Sequence, residues 1–263
     1  MQRKHLLLFT LALMMITVLG HAQKAPKKPS KIWYTPTKTE TKEVKLEGQN
    51  IISEKEVTKF KLVITNKTKD FLILRPQESI FKSGGMTVVP TDKKKITIRP
   101  LDNESKVIDC ANTQYQSMHE YNFSFIADGI YKSTNAKTTA IPDYKIPPSQ
   151  NIIEEGDFKI ELISSYIQAD TQWRVKLKVT YNGEGLGIVE SRKISARLHD
   201  GSIIANGNSE KIVGLEPGED ETIVLYFSNN RPITIVWNDA FKSAGLVKLE
   251  PVALDFVNDP TMK

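Results

Sequence analysis

Residues 173–179 read Trp-Arg-Val-Lys-Leu-Lys-Val, a strict alternation of apolar and cationic side chains. Successive side chains on a strand point to opposite faces, so Trp173, Val175, Leu177 and Val179 share one side and Arg174, Lys176 and Lys178 the other. The segment predicts an antiparallel strand with one dry face and one wet face. Residues 215–227 make the same point with a turn attached. Pro217-Gly218 is a turn dipeptide, and the run from Thr222 to Phe227 is rich in β-branched and aromatic residues, with Ile223, Leu225 and Phe227 directed inward. Residues 96–108 repeat this layout of strand, Pro-containing polar turn and strand around Pro100.

Short strand signals of this kind fill the chain. Residues 60–65 and 71–74 flank the polar turn Asn66-Lys67-Thr68-Lys69-Asp70. Ser83-Gly84-Gly85 and Asp200-Gly201 are further turns, and residues 121–126 alternate so that Tyr121, Phe123 and Phe125 form one core-directed face. Long helical periods are missing after residue 22, and residues 238–244 are the one place for a helical turn. Regular short strands separated by turns point to an all-β sandwich or barrel architecture. Pro142, Pro147 and Pro148 mark residues 140–151 as the boundary between two domains, 44–145 and 146–263. Residues 59–65 also echo residues 174–180, although one aligned segment of alternating sequence does not by itself establish a duplication.

The amino terminus predicts export. Arg3, Lys4 and His5 precede an apolar run over residues 6–19, and Gly20-His21-Ala22 offers a small-residue exit, so residues 1–22 read as a signal peptide. That run falls short of the roughly 20 residues needed to cross a bilayer core, and no transmembrane span is expected after cleavage. Cleavage removes two cations and no acid from a formal charge of +5, leaving a mildly basic chain with no call for nucleic acid. Cys110 is the only cysteine, which excludes an intramolecular disulfide and leaves stability to the core. Residues 23–43 are rich in Lys, Pro and Thr and read as an extended basic arm. Within it, Trp33 and Tyr34 either dock on their own domain as a short edge strand or, with Lys27 and Lys28, anchor a partner.

These residues carry a family resemblance. The 215–219 turn with the 222–227 strand resembles the late hairpin of bacterial secreted immunoglobulin-like modules, and the 173–180 strand is similar to their central strand. The resemblance implies two immunoglobulin-like antiparallel β-sandwich domains in tandem, a fold that binds, spaces or stiffens rather than specifying an activity. More distantly, residues 86–90 and 96–101 resemble first-domain strands of the two-domain periplasmic pilus chaperones, which implies capture of a secreted subunit through a donated strand.

Chemistry-bearing patterns are sparse. His119 and His199 stand without a nucleophile placed by motif, and Cys110 has no signature around it. Glu219-Asp220-Glu221 reads as a solvated hairpin tip rather than a calcium loop, and Gly183, Gly185 and Gly187 as a turn rather than a dinucleotide fingerprint. No catalytic residue, metal or cofactor is assigned. The expectation is an exported, non-enzymatic envelope or cell-surface protein, in the periplasm or outside the cell. Its partner would be another envelope protein or a surface polymer, reached through sheet edges and loops.

Overall fold

A computed structural model describes residues 31–113, 116–119, 121–168, 172–208, 212–228 and 233–261. The signal peptide expected over residues 1–22, and Lys27 and Lys28, lie outside these. The described chain is all-β, interrupted by two short 3-10 turns at Pro76–Glu78 and Ser191–Lys193. None of its helices is long and apolar enough to cross a membrane.

The strand order is duplicated. In the first half, the hairpin Val44–Glu54 and Val57–Asn66 is followed by Leu72–Leu74, the 3-10 turn, Ile80–Ser83 and Met86–Val88, then Ile96–Ile98, Asn103–Ala111, Phe123–Ala127 and Ile130–Thr138. In the second, the hairpin Phe158–Gln168 and Gln172–Tyr181 is followed by Leu186–Glu190, the other 3-10 turn, Ser195–Arg197 and Ile203–Ala205, then Ile212–Leu215, Asp220–Phe227, Ile233–Val236 and Phe241–Lys248. Each strand pairs in one half as its counterpart does in the other. Val57–Asn66 lies between the Val44–Glu54 and Asn103–Ala111 strands, as Gln172–Tyr181 lies between Phe158–Gln168 and Asp220–Phe227. The echo between residues 59–65 and 174–180 is thus an equivalence of central strands.

Two connections join the halves. Ile130–Thr138 pairs antiparallel with its own counterpart, Phe241–Lys248, so that one six-stranded sheet runs through both. The strand that follows each of these then completes the other half's sheet. Tyr144–Ile146 pairs with Ile233–Val236, and Val252–Phe256 pairs with Phe123–Ala127. Residues 252–257 fall within the 146–263 domain expected from sequence, yet they supply Val252, Leu254 and Phe256 to the core of the first half. Alternation shows that a strand has a buried face, and it carries no information about which sheet covers that face.

Two large cores result. The first stacks Phe60, Phe81, Phe123, Phe125 and Phe256 with ring centroids 4.9–5.9 Å apart. The second gathers Phe158, Tyr181, Trp237 and Phe241 among the buried Val175, Leu177, Val179, Ile223, Leu225 and Phe227. The alternation over residues 173–179 holds throughout, and the inward set at 223, 225 and 227 is buried as expected. Where apolar residues run without alternation, both faces are covered. Leu72 and Leu74 enter the first core, while Phe71 and Ile73 form a third cluster with Leu186, Ile188 and Ala244.

That third cluster shows how the shared sheet curls. An added Cβ on Gly214, in the edge strand Ile212–Leu215, would meet the Phe71 ring and the Thr97 methyl at 3.3 Å, and Thr97 lies in the opposite edge strand, Ile96–Ile98. The two edges therefore approach each other around the cluster.

Three local expectations are corrected. Tyr121 is 55% exposed and precedes its strand, because Phe123–Ala127 begins two residues later and the core-facing set is Phe123, Phe125 and Ala127. Residues 238–244 form no helical turn: Asn238 and Asp239 take positive φ at 45° and 57°, and the strand starts at Phe241. The described part of the 23–43 arm contains two strands, Lys31–Tyr34 and Thr37–Glu40, both laid on Val44–Glu54.

Candidate functional site

The residues singled out by sequence do not assemble into one site. Tyr34 is buried, stacks edge-on against Phe123 with centroids 4.9 Å apart, and donates its hydroxyl to the Met118 carbonyl at 3.1 Å. Burial pushes its phenol up to about 12. Trp33, on the opposite face of the strand, is half-buried, and its carbonyl accepts the Asp259 amide at 2.9 Å. Cys110 is buried in the first core, where desolvation pushes its thiol up to about 12, far from the thiolate a nucleophile needs. The His119 ring nitrogen Nδ1 lies 3.2 Å from the Ser53 carbonyl, and His199 is exposed beside its turn. Glu219, Asp220 and Glu221 do not converge: Glu219 reaches Lys95, and Asp220 pairs with Lys178 at 3.4 Å. Groups of three or more acidic, His or Cys side chains fit for a metal ion do not occur among the described residues. The glycine stretch answers to packing. Gly185 has φ +84° with the Ala244 carbonyl 2.3 Å from where a Cβ would sit, and Gly187 lies under the Tyr181 ring.

Two other features stand out, and both come from breaks in the duplication. The first is a sheet edge. Both long hairpins carry a bulge at equivalent places, between Gln49 and Ile52 and between Leu162 and Ser164. In the first half, Ile51, Ile52 and Ser53 beyond the bulge are buried. The outer edge of this strand is paired by Lys31–Tyr34 and Thr37–Glu40, and in the connection after Asn103–Ala111 two residues pack beside the hairpin end: Asn112 Nδ2 donates to the Glu54 carbonyl at 2.7 Å, Asn112 Oδ1 accepts the Met118 amide at 3.1 Å, and Met118 fills the core. In the second half the corresponding connection shrinks to residues 228–232. Ile163, Tyr166 and Ile167 are 42–47% exposed. Ile152–Glu155 pairs with the hairpin only as far as Glu161, and no strand among the described residues pairs with the outer edge from 163 to 168. The opposite edge of the same sheet is closed. Asn206 Oδ1 accepts the Tyr226 amide at 3.0 Å, and the Gly207 amide donates to the Tyr226 carbonyl at 2.7 Å.

The second feature is a cleft of about 770 Å³ at one end of the curled sheet. Phe71, Ile188 and Ile212 form its apolar floor, and two tied loops form one wall. Asn66, buried, ties them: its Nδ2 donates to the carbonyls of Asp70 at 2.6 Å and Arg99 at 3.0 Å, while its Oδ1 accepts the Thr68 amide at 2.9 Å. The other wall is the end of Leu186–Glu190 with its 3-10 turn. There the Glu190 carboxylate, its side chain 9% exposed, meets Lys242 at 2.5 Å and both Lys193 and Arg192 at 3.2 Å. Desolvation alone would raise the Glu190 carboxyl, but the ammonium groups of Lys242 and Lys193 hold it below the ordinary carboxylate range.

At the opposite end of the sheet the corresponding space is closed by ion pairs. Glu216 binds Arg75 at 2.6 Å and Lys95 at 2.9 Å, and Lys95 also reaches Glu219. Arg75 in turn lies over the Tyr131 ring at 4.4 Å. A smaller depression of about 430 Å³ on the outer face of the second half is lined by acids and lysines, such as Glu154 and Lys159, which pair with each other at 3.4 Å. Its side chains are those of an ordinary solvated sheet face.

No family model matches the chain, and no curated protein matches its sequence.

Proposed function

We propose that this chain is an exported, non-catalytic binding protein of the cell envelope or surface, built from two immunoglobulin-like halves and engaging a partner protein through the open edge at residues 163–168. The observation that carries this reading is the asymmetry between the halves. An edge that Lys31–Tyr34 and Thr37–Glu40 pair in the first half is left, beyond Glu161, apolar and unpaired in the second, among the described residues. Unpaired strand edges with exposed apolar side chains are templates for an added strand. Each half layers antiparallel sheets over one core, which supports the immunoglobulin-like assignment, and the basic start with its short apolar run supports export.

A strand-donating chaperone would need two domains hinged about a cleft. Here a shared sheet and reciprocally exchanged strands favour one rigid body, and with it the binding-protein reading.

The test is site-specific photo-crosslinking in intact cells, with the reactive side chain at Ile167 or, as a control on an interior strand, at Val247. The expected result is a discrete adduct from Ile167, lost when Ile163 is replaced by Lys. Equal or no adducts from both positions would count against the edge, and substrate turnover by the purified chain would count against the non-catalytic assignment.

A further inference from the structure

The two ends of the six-stranded sheet are equivalent by connectivity and reversed in charge. At the closed end, the turn 216–219 offers a carboxylate, Glu216, to a cation at the end of Leu72–Leu74, Arg75. At the open end, the equivalent turn residue is the cation Arg99, and the equivalent strand end is the acid Glu190. These two make no ion pair with each other. Arg99 holds Asp102 of its own turn at 2.8 Å, and Glu190 is shared among Lys242, Lys193 and Arg192. Counting the whole lining, Lys69, Arg99, Arg192, Lys193 and Lys242 outnumber the carboxylates Asp70, Asp102 and Glu190. The turn that seals one end with a carboxylate thus leaves the other end cationic.

An apolar element accompanies the charge. Leu101 sits at the cleft rim, 67% exposed, with φ +57°. A bulky side chain in the left-handed region is strained, and such strain persists only where the surroundings enforce it. Asn66 supplies that enforcement by gripping the Arg99 carbonyl, and the Leu101 amide donates to the Thr68 carbonyl at 3.0 Å. The volume is that of a small-molecule site rather than of a macromolecular groove.

We propose that this cleft binds a small organic anion, a carboxylate carried on an apolar body. Arg192, Lys193 and Lys242 take the carboxylate beside Glu190, and Phe71, Ile188, Ile212 and Leu101 take the apolar body. Charge-assisted contacts from guanidinium and ammonium groups suit a carboxylate, and the floor excludes water from one side of it. The site is separate from the open edge, so either can fail without the other.

Calorimetric titration of the full exported chain with octanoate tests this, with octanamide and acetate as parallel probes. Octanoate is expected to bind saturably, with octanamide and acetate each weaker by roughly tenfold or more, the scale of one charge-assisted contact or a few buried methylenes. Arg192→Gln, at an exposed position, and Leu101→Gly, which relieves backbone strain, should each weaken octanoate severalfold, while Lys159→Gln on the outer sheet face leaves it unchanged. Octanoate binding no tighter than octanamide, no binding at millimolar octanoate, or equal loss from Lys159→Gln would overturn the proposal.

Discussion

Leu101 occupies in its turn the place that Gly218 occupies in the other. Arg99-Pro100-Leu101-Asp102 and Glu216-Pro217-Gly218-Glu219 both follow an edge strand of the shared sheet, and both close with a backbone hydrogen bond from the fourth residue to the first, at 3.3 and 3.0 Å. Both have φ above zero at the third residue, +57° for Leu101 and +80° for Gly218. With proline fixing the second residue, this is a type II turn, in which the third position favours glycine.

The exchange Leu101→Gly should therefore stabilise the protein. A left-handed non-glycine residue costs about 1–2 kcal/mol, and the flexibility glycine adds to the unfolded chain returns about half of that, leaving a gain of about 0.5–1 kcal/mol. Gly218→Ala should do the reverse and cost about 1 kcal/mol or more. Urea midpoints at unchanged slope measure both.

Glu216 predicts a pH dependence. Desolvation would raise its carboxyl, but Arg75 and Lys95 hold it below the ordinary range. A depressed carboxylate contributes stability that is complete above the ordinary value of about 4.3 and is lost as pH falls through the lower folded value. Glu216→Gln should cost roughly 1–3 kcal/mol at pH 7, between the values for exposed and fully buried pairs. The gap between variant and wild type should narrow as pH falls from about 5 towards 3. Denaturation curves across that range check it; a constant gap would mean that the pairs with Arg75 and Lys95 do not shift the titration.

Phe256 tests the strand exchange. It packs at 4.9 Å, centroid to centroid, against both Phe60 and Phe123, and its ring leaves no room for a side chain on Gly48. Phe256→Ala should cost about 3–5 kcal/mol. If Val252–Phe256 belonged to the second half, amide exchange would rise there after this change. The structure predicts that it rises instead in Phe123–Ala127 and Val57–Asn66, its neighbours in the first core.

Cys110 offers a clean probe, since the chain has no other thiol. Its burial and raised pKa predict negligible labelling by a thiol reagent at pH 8 in the native state, and full labelling in denaturant.

What the sequence made legible was local. Alternation at 173–179 and at 223–227 gave the buried faces correctly, and Pro217-Gly218 marked its turn, because those signals depend only on neighbours along the chain. Pairing across distance was illegible. The strands 144–146 and 252–256 cross to the opposite half with nothing in their own composition to show it. The cleft draws on residues 69–71, 99–102, 133, 136, 188, 190, 192, 193, 212 and 242, which form no motif until the sheet curls. The open edge is legible only by comparison, once the bulge at 163 is set beside its covered equivalent at 50–51.

The most direct test of the account is amide hydrogen exchange over residues 163–168, measured on the purified chain alone and bound to the partner captured through Ile167. Strand addition at this edge predicts that these amides exchange readily in the free protein and slow markedly in the complex, while the Asn206-capped edge at Tyr226 stays unchanged. Exchange at 163–168 that is already slow in the free chain, or that does not slow in the complex, would contradict it.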